Sequence, residues 1–137
     1  MSKKLVLYLV LLIIVAVSIY FYREYNRRPA DLEDAKPVFK ITATDLVNEF
    51  ETDEATANKK YLGKIIQVTG VLSSKENHGD TLVNITIGNG MHKVGCRIDK
   101  RLINEINQFT ISNIISIKGI CTGYLMDVEL TRCVIIK

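Results

Sequence analysis

The chain has 137 residues, 47% of them hydrophobic and 24% charged, with a formal net charge of +3. That charge is uneven: Lys3, Lys4, Arg23, Arg27 and Arg28 stand against Glu24 near the start, whereas from Pro29 on 13 Lys or Arg face 14 Asp or Glu, a net of −1. The later part is therefore no basic domain drawn to phosphate backbones by its charge, and its 109 residues suit one compact domain rather than two.

Residues Leu5 to Tyr22, LVLYLVLLIIVAVSIYFY, hold one small polar side chain, Ser18. A helix of that length rises roughly 27 Å, close to the hydrocarbon thickness of a bilayer, and satisfies its own backbone polar groups there. Tyr8 lies near one end and Tyr20, Phe21, Tyr22 and Tyr25 at the other, the pattern of an aromatic belt. Ala16-Val17-Ser18 is a small-x-small tripeptide, but it lies inside the apolar run, whereas a signal-peptide cleavage site follows one. The run is read as a retained single span in an inner membrane. No Cys follows it at short range, so lipid attachment is unsupported. The flanking charges discriminate little between orientations. A short N-terminus ahead of one span places the C-terminal part outside the cytoplasm. Residues 1–28 form the anchor with its flanks.

Arg27 to Pro37 is polar, contains two prolines and lacks periodicity, so residues 29–41 read as a linker to a domain over 42–137. Thr42 to Tyr61 is helical in character. Thr44 would cap a first helix with Leu46, Val47 and Phe50 on one face; Thr52 or Asp53 would start a second, which Gly63 ends. From Lys64 the pattern alternates: Ile66, Val68, Gly70 and Leu72 share a face, and Gly70 permits a bend. Asn77-His78-Gly79-Asp80 is turn chemistry. Val83, Ile85 and Ile87 alternate next, and Gly88-Asn89-Gly90 makes a hairpin turn before Val94, Cys96 and Ile98. Asp99 caps a helix over Lys100 to Phe109. A further strand puts Ile115, Ile117, Gly119 and Cys121 inward, with Ser116 and Lys118 outward. The last strand, Asp127 to Ile136, changes parity between Leu130 and Cys133, which a bulge at Thr131-Arg132 reconciles.

Three strands, a plugging helix and a closing hairpin are the layout of a five-stranded Greek-key barrel, the OB-fold. The expected class is thus all-β with helices: an OB-fold barrel preceded by a transmembrane helix and a short helical segment. Ala55, Ala57, Tyr61-Leu62-Gly63-Lys64 and Val68-Thr69-Gly70-Val71 resemble the opening of the bacterial tRNA-anti-like OB-fold family. The string from Ile117 to Leu130 (IKGICTGYLMDVEL), followed by Cys133, is similar to that family's most distinctive stretch. The resemblance runs from about Thr42 to Ile136. It implies the fold and a membrane or lipid attachment, and it implies no activity.

Single-strand binders of this fold need a basic groove and rings on which bases stack. The second and third barrel strands, Thr81 to Ile98, contain no Phe, Tyr or Trp, and their outward polar residues are Asn84, Thr86, Lys93 and Arg97. Those four form the candidate ligand face, suited to a protein, peptide or glycan, and nucleic-acid binding is not expected. A metal would need His92 with Cys96, or His78 with Asp80. Cys96 alternates with core residues, and no further ligands complete a zinc set. Asp127 with Glu129, and Asp53 with Glu54, have ordinary structural readings, so no catalytic, metal or cofactor site is assigned. Cys121 and Cys133 lie on the closing hairpin. They are either core thiols or a disulfide, although a tight turn at Leu125 sets Cys121 opposite Glu129. The domain is expected to be monomeric and not an enzyme.

Overall fold

The computed structural model describes residues 3–25, 30–78 and 82–136. The apolar run lies in one helix, α1, Lys3–Tyr25. Its described large apolar side chains are all exposed, Leu5 and Ile13 at 52% and 59% for example, so no face of it is covered. Among the described residues no helix is long and apolar enough to cross a membrane; the side chain of Leu7, inside the run, is not among them, nor is that of Tyr25.

Beyond α1 the order is α2 (Ala30–Glu33), β1 (Phe39–Thr42), α3 (Ala43–Thr52), α4 (Glu54–Tyr61), β2 (Ile65–His78), β3 (Leu82–Ile87), β4 (Val94–Asp99), a 3-10 turn (Lys100–Leu102), α5 (Ile103–Asn107), β5 (Ile114–Tyr124) and β6 (Val128–Ile136). Five strands close on themselves. Antiparallel pairs β2–β3, β3–β4, β5–β6 and β2–β5 are joined by the parallel pair β4–β6. This is an OB-like barrel, and closure leaves none of its five strands as a bare edge. The alternation dictates the inside: Ile66, Val68, Leu72, Val83, Ile85, Ile87, Val94, Cys96 and Ile98 are all buried.

Thr42, not Thr44, caps α3: its side chain accepts from the Asp45 N–H. The extended backbone of Thr42 makes it the last residue of a strand as well as the cap. Asp53 ends α3 and caps α4 by accepting from the Thr56 N–H. Leu46 and Phe50 of α3 and Ala57 and Tyr61 of α4 close one end of the barrel. At the other end the expected ten-residue helix is shorter. Asp99 caps only a 3-10 turn, which runs into the five-residue α5. Ile106 is fully buried there, while Leu102, Ile103 and Phe109 pack partly against the core. Lys75 Nζ of β2 donates to Ile106 O and Phe109 O, satisfying carbonyls that a helix end leaves open.

The stretch read as a linker is structured. It supplies α2 and then β1, which pairs in parallel with β2, Phe39 opposite Ile66. Leu32 of α2 is buried. Lys118, expected to face solvent, is 5% exposed and donates 2.7 Å hydrogen bonds to Glu33 O and Ala35 O. Parity was right, since Lys118 points out of the barrel opposite Val134, but α2 covers that spot. Of the turn expected at 77–80, Asn77 and His78 lie in β2; Gly79 and Asp80, and the His78 side chain, lie outside the described residues. The Gly88-Asn89-Gly90 turn is part of a longer connection reaching Lys93.

The bulge in β6 falls where parity required it. Leu130 stands opposite Cys96 and Cys133 opposite Ile98, so three steps on β6 match two on β4, and Arg132 takes φ +55°. Cys121 pairs with Leu130, one residue from the Glu129 expected. All three thiols are buried and free, so the Cys121–Cys133 disulfide is not formed. Cys133 turns instead toward Cys96, whose thiol is pushed well up by burial first and by Cys133 second.

Candidate ligand face and adjoining groove

The candidate residues part into two places. Asn84 of β3 stands directly opposite Arg97 of β4, and Thr86 opposite Gly95. Gly95 in turn faces Glu129 of β6. The face is thus built on three neighbouring strands. A Cβ at Gly95 would lie 2.7 Å from Glu129 Oε1, so the carboxylate rests across the glycine. The side chains of Asn84, Thr86, Arg97 and Glu129 make no hydrogen bond or ion pair with another described residue. Gln67 donates to Ser116 Oγ at 2.9 Å, and Thr69 Oγ1 lies 3.0 Å from the same oxygen.

Lys93 belongs elsewhere. Its N–H donates to Asp127 Oδ1 at 2.7 Å, and its stem packs by Gly88. It lines a cleft of about 220 Å³ with Thr44 and Glu51 of α3 and the 88–92 loop. His92 ties that loop to the β5–β6 turn: Nδ1 lies 2.6 Å from Met126 O, and Nε2 is 3.6 Å from Glu51 Oε1. His92 and Cys96 are not brought together, since Cys96 lies inside the barrel. Among the described residues no group of three or more His, Cys, Asp or Glu could hold a metal ion.

Arg97 and Glu129 also line a groove of about 530 Å³ beneath the β5–β6 turn. Its other walls include Glu54 and Asn58 of α4, Leu62, Tyr124 and Leu125. Tyr124 stacks on Phe50, centroids 5.6 Å apart, so one ring face is covered. Burial, with the carboxylates of Glu51, Asp127 and Glu54 nearby, pushes its phenol up. Tyr124, Leu125 and Asn58 were missed as site residues because they lie far from β3 and β4 in sequence. The signal available was the Gly123-Tyr124-Leu125-Met126 turn, in which two apolar side chains are exposed at 90% and 74%.

A cavity of about 580 Å³ between α3 and α4 is lined by Asp45, Glu49 and Asp53. Each is occupied structurally. Asp45 accepts from Thr42 Oγ1, Asp53 caps α4, and Glu49 accepts from Lys60 Nζ and Tyr61 OH. Lys60 accordingly holds the Glu49 carboxyl below its ordinary value.

A closed five-stranded barrel with the parallel β4–β6 pair and an end-plugging helix defines the OB-fold class. The chain belongs to the tRNA_anti-like family, whose model matches residues 1–135. Among solved structures it is similar to a lipoprotein from Klebsiella pneumoniae proposed to bind nucleic acid. That match has a TM-score of 0.60 and 14% identity, over 71% of this chain and 91% of that one. A Leishmania major protein assigned as an aspartyl-tRNA synthetase matches at TM-score 0.50 and 13% identity, over 67% of this chain and 19% of its own length. At such identities the likeness is one of fold. No curated protein sequence matches the chain.

Proposed function

We propose that this protein is a membrane-anchored OB-fold binding module of the bacterial cell envelope, not an enzyme, with its barrel on the extracytoplasmic side of the inner membrane. The binding role rests on one observation: Asn84, Thr86, Arg97 and Glu129 share an open face of three strands without partners among the described residues. Polar side chains left unpaired in a folded domain are available to a ligand at little cost in broken bonds. The anchor rests on the run Leu5–Tyr22, whose apolar side chains leave α1 no polar face. The module acts as a monomer through one span.

The face mixes one cation with one carboxylate, and the chain from Pro29 on carries a net −1. That balance favours a protein, peptide or glycan over a polyanion, whose binding draws on counterion release from clustered cations. A second reading, a single-stranded nucleic-acid binder, is favoured by the likeness to the Klebsiella lipoprotein. Fluorescence anisotropy with labelled oligonucleotides at about 150 mM salt decides between them. No sub-micromolar binding is expected. Tight binding that weakens steeply with salt and with Arg97→Ala would replace the first reading with the second. A reporter fused at the C-terminus tests the orientation and should be active only outside the cytoplasm.

A further inference from the structure

The groove under the β5–β6 turn has a chemistry the open face lacks. Leu125, 90% exposed, and Leu62, 51% exposed, give it an aliphatic rim, with Tyr124 beside them. Arg97 enters from β4 and Glu129 from β6, each without a hydrogen bond or ion pair among the described residues. On the α4 side Asn58 donates to Glu54 Oε1. The groove therefore offers acceptors at Glu54 and Glu129 and a donor fork at Arg97, beside an apolar rim. Two carboxylates against one guanidinium repel phosphate. An extended main chain alternates N–H and C=O groups, as this set of partners demands, and carries side chains for the rim.

We propose that this groove is the seat of an extended peptide segment of a partner protein. The peptide is neutral or cationic, and it places an aliphatic side chain against Leu62 and Leu125. Its main chain bonds to Arg97, Glu54 and Glu129. This deepens the binding-module reading and rests on it, with the partner class now named.

The test uses the full chain in lipid nanodiscs and a phage-displayed library of random linear peptides. Selection should enrich aliphatic-containing, non-acidic sequences. Synthetic copies should lose about tenfold or more in affinity with Leu125→Asp and with Arg97→Ala, as expected for central contacts, and keep it with Lys40→Ala on β1. Melting temperatures of all three variants, compared with the parent, separate lost binding from lost fold; Leu125 is exposed, so Leu125→Asp should melt with the parent. Peptides that depend on Asn84 or Thr86 but not on Leu125 would overturn the groove assignment and leave the module reading standing. Failure to enrich any peptide, with salt-sensitive retention of labelled oligo-dT, would overturn both. Failure to enrich peptides while a labelled oligosaccharide is retained would overturn the peptide assignment alone.

Discussion

At the scale of single residues, close approach explains more than flexibility does. Gly70 was legible as a place where β2 could bend. Its stronger reason is that a Cβ there would lie 2.6 Å from Ile87 Cγ2 and 2.9 Å from Ala43 Cβ, where α3 begins over the barrel. Gly70→Ala should cost about 1–3 kcal/mol in denaturant unfolding, because the two atoms it meets are held in the core and at a helix start. An unchanged midpoint would show that α3 can lift away freely. Glu49 gives a prediction in pH. Lys60 holds its carboxyl below the ordinary 4.5, so the unfolded chain binds that proton more tightly than the folded one. Its stabilisation is complete above about pH 4.5 and is lost as pH falls through the lower folded-state value. Both side chains are 39% exposed, which limits the pair to about 1 kcal/mol. Glu49→Gln should lower the melting temperature slightly at neutral pH, and the gap from the parent should close in acid. A gap that is the same at pH 7 and pH 3 would remove this pair from the account.

At the scale of elements, the two ends of the barrel and its outer strap differ in what they bear. α5 is short, but Ile106 is fully buried and Lys75 secures the carbonyls after it. Ile106→Asp should cost about 3 kcal/mol or more by placing an unpaired charge in the core. A variant that unfolds at the parent's denaturant midpoint would mean α5 is no plug. α2 is different, because it lies outside the barrel core. Leu32→Ala or Lys118→Ala should release it, seen as faster cleavage by the glutamate-specific protease Glu-C after Glu33, while the barrel's melting temperature falls by only about 2 °C. Equal cleavage rates in parent and variants would mean that α2 is not held by these contacts. These elements also mark what could be read from sequence. The barrel strands were legible because buried alternation with period 2 leaves an unambiguous trace, and the parity change between Leu130 and Cys133 revealed even the bulge. β1 and α2 were not legible: four residues each, one beside prolines and charges, carry too little pattern to separate docked chain from linker. Lys118 was misread for a related reason. Strand parity says which way a side chain points, and only the packing of a distant segment says whether that direction is solvent.

For the whole molecule, the open face was partly legible. Asn84, Thr86 and Arg97 share it because outward positions on paired strands must be neighbours once the register is known. Lys93 fell away because it lies in the β3–β4 connection, where alternation no longer governs direction. Glu129 joined through β6, which meets β4 only on closure of the barrel, and Tyr124 lies in the adjoining groove. The free thiols follow the same logic. Register sets Cys133 beside Ile98, away from Cys121, and burial keeps all three from solvent. The function proposed above is that of a binding barrel held at a membrane by Leu5–Tyr22. The most direct measurement is the intact mass of the protein recovered from membranes washed with alkaline carbonate. The account predicts that the protein stays in the membrane pellet with the residues before Ala16 still attached. Recovery in the soluble fraction, or only as chains beginning near Ile19, would contradict it.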